Sequence, residues 1–197
     1  GMPKYILNEI EFLIKEGKLI YGNNNGWSIN EEYLSTLATK AIYRSNYFPK
    51  NNLPAETTEF VGREDEIREV CSLLEKARLV TFVGPGGIGK SRLALKVGFL
   101  SLSKFTDGVY WISLSQITKS ELLISNIAKI LNIVEIEGNN TLDSIKRTLK
   151  NKRLLMILDN FEQIIDSAPA LAELLATAAN LSLLVTSRQP LKVYGEH

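Results

Sequence analysis

The segment GPGGIGKS, from Gly84 to Ser91, is the most informative part of this sequence. It fits the phosphate-binding pattern of Gly, any four residues, Gly, Lys and then Ser or Thr. Glycines let the backbone curl so that successive N–H groups converge on phosphate oxygens. A helix that begins here would point its positive end at the same anion. The predicted phosphate site comprises Gly84, Pro85, Gly86, Gly87, Ile88, Gly89, Lys90, Ser91 and Arg92, with Lys90 on the outer phosphates and Ser91 on a phosphate-bound Mg²⁺.

The residues on either side of this loop have the pattern that the motif requires. Residues 79–83, LVTFV, form a short apolar and β-prone run that predicts a buried strand. After the loop, apolar residues recur at helical spacing, at Leu93, Ala94, Val97 and Leu100. The alternative is an ordinary glycine turn beside a surface lysine, which would not need the order strand, loop, helix.

Further apolar runs and helical patterns alternate downstream. The runs cover residues 109–114, 154–158 and 183–186. We expect Ser120 and Thr141 to cap two helices between the first and second of these runs, and Pro169 to interrupt a last helix. The alternation predicts an α/β fold, a P-loop NTPase with a parallel sheet flanked by helices.

Two polar residues stand where predicted strands end. In open α/β sheets, ligands bind at the carboxyl ends of the strands. Asp159 follows residues 154–158 and would hold the Mg²⁺ that Ser91 and the phosphates share. Arg188 follows the last strand and would reach the γ-phosphate and report its presence. The alternative for Arg188 is a surface arginine after a helix-capping serine.

The pentapeptide FVGRE precedes an amphipathic helix, some twenty residues before the glycine loop. Val61, Gly62 and Arg63 would cover an adenine ring there, which needs an apolar contact and edge hydrogen bonds. The alternative is an ordinary helix start on the surface with one buried valine.

Residues 1–46 predict a small α+β unit of helix, β-hairpin and helix that resembles part of a winged-helix module. Residues 1–50 carry six basic and five acidic side chains, and no charged residue lies between Ile20 and Ile29. Because DNA contact needs a basic recognition surface, a packing or protein-interaction role is favoured, and DNA binding stays open as an alternative. Residues 47–58 predict a linker, and residues 59–197 the nucleotide domain.

Composition excludes several other classes of function. The formal net charge is +1 and hydrophobic residues make up 45% of the chain, as in ordinary globular proteins. Cys71 is the single cysteine and His197 the single histidine, so an internal disulfide and histidine-based zinc or triad chemistry are not expected. No membrane-length apolar stretch or signal peptide is present in the sequence, and we expect a cytoplasmic protein without a membrane partner.

From Asn52 to His197 the chain resembles the nucleotide-binding domain of STAND-class signalling ATPases, which are P-loop proteins related to AAA+ enzymes. The closer likeness is to NB-ARC-type regulators of bacteria. The resemblance implies adenine contacts at Val61 to Arg63, a phosphate loop at Gly84 to Ser91, Mg²⁺ on Asp159 and a sensor role for Arg188. The matching stretches are NLPAETTEFVGRE, RLVTFVGPGGIGKSRLAL, DGVYWISL, KRLLMILDNFEQ and LLVTSRQPLKVYGEH.

The same resemblance qualifies the chemistry. Asn160 follows Asp159 where fast ATPases of related type carry a Glu, and Asn cannot accept a proton from water. We therefore expect slow ATP hydrolysis, with Lys90, Asp159, Asn160 and Arg188 as the catalytic set. The family continues into further domains, so we expect a domain truncated before its fifth strand.

The expected function is a regulatory switch that binds ATP or ADP with Mg²⁺ and changes protein partners, or self-assembles, in the triphosphate state. The alternatives are a rapid ATPase or P-loop kinase, and a DNA-binding regulator that ATP controls.

Overall fold

The computed structural model describes residues 50–55, 60–117, 119–133 and 140–197, and the backbone of strands β1 (Leu19–Gly22) and β2 (Gly26–Ile29). The chain divides into two units, residues 1–48 and 49–197. In the first unit, β1 and β2 pair antiparallel with Leu19 opposite Ile29, which confirms the predicted hairpin. The two helices predicted beside this hairpin lie outside the described residues.

The second unit is an α/β layer structure, which confirms the predicted fold class. Its four described strands are parallel in the order β3-β6-β5-β4. In chain order its elements are α1 (Glu64–Leu73), β3 (Leu79–Val83), α2 (Lys90–Ser101), β4 (Gly108–Ser113), α3 (Leu122–Ile130), α4 (Thr141–Leu149), β5 (Leu154–Asp159), a 3-10 segment (Phe161–Ser167), α5 (Ala168–Thr177) and β6 (Leu181–Ser187).

Helices cover both faces of this sheet. Every residue of β5 and β6 is buried, as expected for central strands of a parallel sheet. Met156 and Leu158 point into the larger core with α3, α4 and α5, whereas Leu155 and Ile157 point into the core with α1 and α2. Burial raises the pKa of the Cys71 thiol on α1, which favours an inert thiol.

The direction in which the chain moves across the sheet changes between the neighbouring strands β3 and β6. From β3 the chain crosses through α2 to the far edge at β4, and then returns through β5 to β6. After β6 the chain instead passes beside β3, where Glu196 bridges to Leu79. The loops after β3 and β6 therefore leave in opposite directions, and such a divergence opens the crevice in which open α/β sheets bind ligands. A hydrogen bond of 3.3 Å from the Gly84 N–H to the Ser187 carbonyl joins the two loops at this point.

Two helix starts differ from the sequence prediction. Asn140, rather than Thr141, caps α4, because its side-chain oxygen accepts a 3.1 Å hydrogen bond from the Leu142 N–H. Before α3, Ser120 contributes its backbone carbonyl to the Leu123 N–H, and no side-chain cap is present at this helix.

Pro169 begins a helix instead of interrupting one. It lies in the first turn of α5, where a fixed φ and a missing N–H cost little. The break falls earlier, inside the 3-10 segment, where Ile164 has φ −137° and ψ 40°.

Both edges of the four-stranded sheet have additional backbone partners. At β4, the Val109 N–H donates to the Lys50 carbonyl at 3.0 Å. The Asn52 side chain accepts from the Trp111 N–H at 2.7 Å and donates to the Trp111 carbonyl at 2.9 Å. At β3, the His197 N–H donates to the Leu79 carbonyl at 3.1 Å, and the His197 carbonyl accepts from the Thr81 N–H at 2.8 Å.

We expect Gly108→Ala to lower the free energy of unfolding by about 2–4 kcal/mol. Gly108 has φ +132°, and a Cβ there would lie 2.6 Å from the Lys50 carbonyl oxygen and 2.5 Å from the Tyr110 ring. The control is Gly195→Ala, at φ +80° with nothing within 4 Å of the new Cβ, which should cost about 1 kcal/mol. Urea denaturation compares the two variants, and equal losses would contradict the steric argument.

Candidate functional site

The glycine loop forms a concave backbone surface between β3 and α2. Gly87 and Gly89 have φ angles of +82° and +88°, which L side chains rarely adopt. α2 begins immediately afterwards at Lys90, and its first turn contains no acidic residue. Among the described backbone hydrogen bonds outside helices and strands, none is donated by the N–H groups of residues 86–89. Free N–H groups at the positive end of a helix form a cradle suited to an anion.

Lys90 places its ammonium group inside the curve of this loop. Its Nζ donates to the Gly84 carbonyl at 2.7 Å and to the Pro85 carbonyl at 3.0 Å. The side chain therefore folds back over the loop and brings a positive charge beside the N–H cradle. Ser91 and Arg92 follow in the first turn of α2.

Residues 60–63 lie against the loop and the start of α2. The Arg63 Nη1 donates to the Ile88 carbonyl at 3.1 Å, and its guanidinium also pairs with Glu66. The guanidinium carbon of Arg92 lies 5.7 Å from the centre of the Phe60 ring. These two contacts hold the segment in place and leave Val61 82% exposed.

A cavity of about 290 Å³ opens between α1, β3 and the glycine loop. Arg63 from the predicted adenine segment lines this cavity together with Ile88 and Lys90 of the glycine loop, so the two segments border the same space. Its size is near the lower end of the range for small-molecule sites.

A larger cavity of about 390 Å³ lies elsewhere on the sheet. Its lining includes Arg78 and Arg153, which come just before β3 and β5, so it lies at the amino ends of the strands. We favour the smaller cavity as the ligand site, because in folds of this kind ligands bind at the carboxyl ends.

Asp159 is held at the end of β5 by a residue that sequence reasoning missed. The Thr186 hydroxyl donates to the Asp159 Oδ1 at 2.6 Å and accepts from the Asn160 N–H at 3.0 Å. Asp159 is 7% exposed and Thr186 is fully buried. One hydroxyl thus fixes the direction of the carboxylate and the turn after it. The available signal was that Thr186, like Asp159, stands at the carboxyl end of its predicted strand.

We expect Thr186→Val to lower the free energy of unfolding by about 1–3 kcal/mol, because it leaves the Asp159 carboxylate and the Asn160 N–H without this partner. Thr81→Val on the neighbouring strand β3 is the matched control. The Thr81 hydroxyl is buried without a partner among the described residues, so its loss should change stability by less than about 0.5 kcal/mol or raise it. Chemical denaturation measures both variants, and a loss for Thr81→Val that equals the loss for Thr186→Val would contradict this assignment.

The backbone conformation at position 160 favours asparagine. Its φ of 64° and ψ of 47° place it in the left-handed region, where Asn is among the few tolerated residues other than Gly. This turn directs the chain from β5 into the 3-10 segment, which begins at Phe161.

Arg188 follows β6 and lies between the glycine loop and the segment after this turn. Its Nη2 lies 3.6 Å from the position that a Cβ on Gly86 would occupy. Its Nε is 3.0 Å from the Glu162 Oε1. The structure therefore brings Arg188 to the phosphate loop, as its predicted role requires, and adds an acidic partner that the sequence did not reveal.

The protein oxygens available here suit Mg²⁺ only when the phosphates of a bound nucleotide complete its coordination. Ser91 and Asp159 supply a hydroxyl and a carboxylate, and the described residues contain no group of three or more His, Cys, Asp or Glu side chains that could hold a metal. Mg²⁺ commonly uses one or two carboxylates together with substrate phosphates and water. The donor set therefore fits Mg²⁺ bound jointly with a nucleotide.

In the described part of the chain, no helix has the length and apolar character needed to cross a membrane.

Comparisons with known proteins agree with this architecture. A sequence profile of the NB-ARC domain matches residues 63–192. Over 126 residues, 64% of this chain, the sequence is 40% identical to a Mycobacterium tuberculosis (strain ATCC 25618 / H37Rv) protein named as a candidate HTH-type transcriptional regulator. Over 149 residues it is 29% identical to the regulatory protein AfsR of Streptomyces griseus, with 69% of this chain covered. The matches span 14% and 15% of these two regulators, so the chain corresponds to a small part of their length.

A solved structure shows the same fold. It is a Signal Transduction ATPase with Numerous Domains (STAND) protein from Pyrococcus horikoshii with a tetratricopeptide repeat sensor. The TM-score is 0.51 at 20% identity, over 74% of this chain and 23% of that chain.

Proposed function

Because this chain belongs to the NB-ARC domain family, we propose that residues 59–197 bind ATP or ADP with Mg²⁺ and act as a regulatory switch with slow ATP hydrolysis. The observation that carries this proposal is the meeting of three elements at one edge of the sheet. The glycine loop with Lys90, the carboxylate of Asp159 and the guanidinium of Arg188 all lie at the carboxyl ends of neighbouring strands.

Each group has a separate role in this proposal. The N–H groups of residues 86–91 and the Lys90 ammonium bind the β- and γ-phosphates. Ser91 and Asp159 hold Mg²⁺, which when bound supplies positive charge to the phosphate oxygens. Arg188 contacts the γ-phosphate, because it already lies beside Gly86 in the loop. Val61, Gly62 and Arg63 contact the adenine ring, and Arg63 lines the cavity beside the loop.

Slow hydrolysis follows from the groups near Asp159. Asn160 can orient a water molecule but cannot take its proton. Glu162, a carboxylate two residues later, is 14% exposed at its side chain and pairs with Arg188. Its carboxylate is therefore held by Arg188 and is not free to serve as a general base.

Two measurements test the switch. Calorimetric titration with ADP and with a non-hydrolysable ATP analogue should show binding of both, and single-turnover assays should give hydrolysis slower than about 0.01 per second, as in switch NTPases that lack a partner. Hydrolysis of tens of ATP per second would instead favour the rapid ATPase. Absence of binding to either nucleotide would exclude both functions.

The output of the switch is a change of assembly. We propose protein partners or self-association in the triphosphate state, with ADP favouring the separate form. Both relatives are named as regulators, one of them as an HTH-type transcriptional regulator; these names support a regulatory setting, and DNA binding remains the alternative output. Light scattering with ADP and with the ATP analogue tests assembly. A steep fall of duplex-DNA affinity with salt concentration would favour the alternative.

A further inference from the structure

Glu162 and Arg188 form an ion pair that is unevenly buried. The Glu162 side chain is 14% exposed, whereas the Arg188 side chain is 65% exposed. The Glu162 Oε1 lies 3.0 Å from the Arg188 Nε, and its Oε2 is buried without a hydrogen-bond partner among the described residues. The carboxylate therefore has only part of the hydrogen bonding that a buried charge requires.

The backbone fixes this carboxylate in place. Asn160 turns the chain sharply after β5, and its N–H is tied to Thr186 on β6. Glu162 follows in the first turn of the 3-10 segment. The acid is thus attached to a rigid support, while Arg188 follows the end of β6 and is mostly exposed.

Arg188 can serve only a limited number of partners at once. Its guanidinium lies between the Glu162 carboxylate and the glycine loop, with Nη2 nearest to Gly86. A γ-phosphate in the loop would bring a second anion to the same guanidinium. ADP lacks that group and would leave the pair with Glu162 intact.

We propose that Glu162 limits the preference of this site for ATP over ADP by competing with the γ-phosphate for Arg188. The inference rests on the proposed nucleotide switch. In the ADP state, Arg188 remains on Glu162. In the ATP state, the free energy gained from the contact between Arg188 and the γ-phosphate is partly offset by the weakening of this ion pair. The acid thereby keeps the affinities for the two nucleotides close, so that either one can occupy the site.

A purely structural ion pair would behave differently. Its loss would change stability, and would change the affinities for ATP and ADP by the same factor. Competition for Arg188 changes the ratio of the two affinities instead. The ratio is therefore the measurement that separates the two roles.

The experiment measures dissociation constants for ADP and a non-hydrolysable ATP analogue with the wild type, Glu162→Gln, Arg188→Gln and the double variant. We expect Glu162→Gln to tighten analogue binding about tenfold and to change ADP binding less than about threefold, because a neutral amide releases the guanidinium. Arg188→Gln should shift the ratio about tenfold toward ADP. With Arg188 already replaced, adding Glu162→Gln should leave the ratio unchanged within about threefold.

The controls separate the possible failures. Glu173→Gln removes an acid from an exposed ion pair with Lys146 on another part of the unit and should leave the ratio unchanged. Glu162→Asp, which shortens the side chain, should give a smaller shift in the same direction if Glu162→Gln does not fold. A wild type that binds neither nucleotide overturns the proposed function. A wild type that binds both, with an unchanged ratio in the Glu162 variants or the same shift without Arg188, overturns this inference alone.

Discussion

Replacing Lys90 with alanine is expected to weaken the binding of ATP and of ADP by about 100-fold each, or about 2.7 kcal/mol. The Lys90 ammonium lies inside the glycine loop, at 2.7 Å from the Gly84 carbonyl. A phosphate seated on the N–H groups of that loop would gain a charge-assisted hydrogen bond from it, and such bonds contribute about 1.5–3 kcal/mol. Both nucleotides should lose affinity together, because both carry the β-phosphate.

Isothermal titration calorimetry measures this effect. Lys129→Ala provides the control, since Lys129 is exposed in the last turn of α3 and away from the loop. Both variants should melt within a few degrees of the wild type without nucleotide, because Lys90 bonds only to carbonyls of its own loop among the described residues. Nucleotide affinity that survives Lys90→Ala unchanged would show that the nucleotide binds elsewhere.

Replacing Asp159 with asparagine should remove the dependence of nucleotide affinity on Mg²⁺ and slow hydrolysis at least about 100-fold. Asparagine keeps an oxygen that can accept the hydrogen bond from the Thr186 hydroxyl, so the end of β5 should stay folded. It lacks the negative charge that would hold the metal. With EDTA in place of Mg²⁺, the variant and the wild type should bind ADP equally.

The matched control is Asp166→Asn, the same substitution at an exposed carboxylate in the 3-10 segment. In this variant, nucleotide affinity should depend on Mg²⁺ as strongly as in the wild type. A response to Mg²⁺ that persists in Asp159→Asn would mean that other groups hold the metal. The pattern differs from that of Lys90→Ala, which should weaken binding with or without Mg²⁺.

The sequence was most informative where the signal was local. The glycine loop, the strand before it and the helix after it are contiguous, and residues 79–101 form β3, the loop and α2 as predicted. The parallel sheet followed from the alternation of apolar runs with helical patterns. Each of these features depends on neighbours along the chain and therefore can be inferred without a three-dimensional arrangement.

The contacts that orient the site depend on which strands become neighbours. Thr186 reaches Asp159 only because β6 pairs with β5 in one particular register. Glu162 reaches Arg188 only because the left-handed turn at Asn160 directs the 3-10 segment toward the end of β6. The spacing of residues in the sequence contains neither the register nor the turn.

Asn160 shows why one residue can support two interpretations. In the sequence it stands where a catalytic glutamate is expected, which suggests slow chemistry. In the structure it also satisfies a left-handed backbone that a glutamate would adopt only with strain, roughly 1–2 kcal/mol by the usual penalty for that conformation. Asn160→Glu would therefore change local stability as well as chemistry, and a hydrolysis assay on it needs a stability measurement beside it.

The side chain of Asn52 has a consequence for solubility. An unprotected edge strand can recruit a strand from another molecule and begin aggregation. By bonding to both the N–H and the carbonyl of Trp111, one side-chain amide occupies the groups that such a strand would use. Asn52 thus acts as a gatekeeper at the β4 edge, in a segment where composition alone predicted nothing more than a linker.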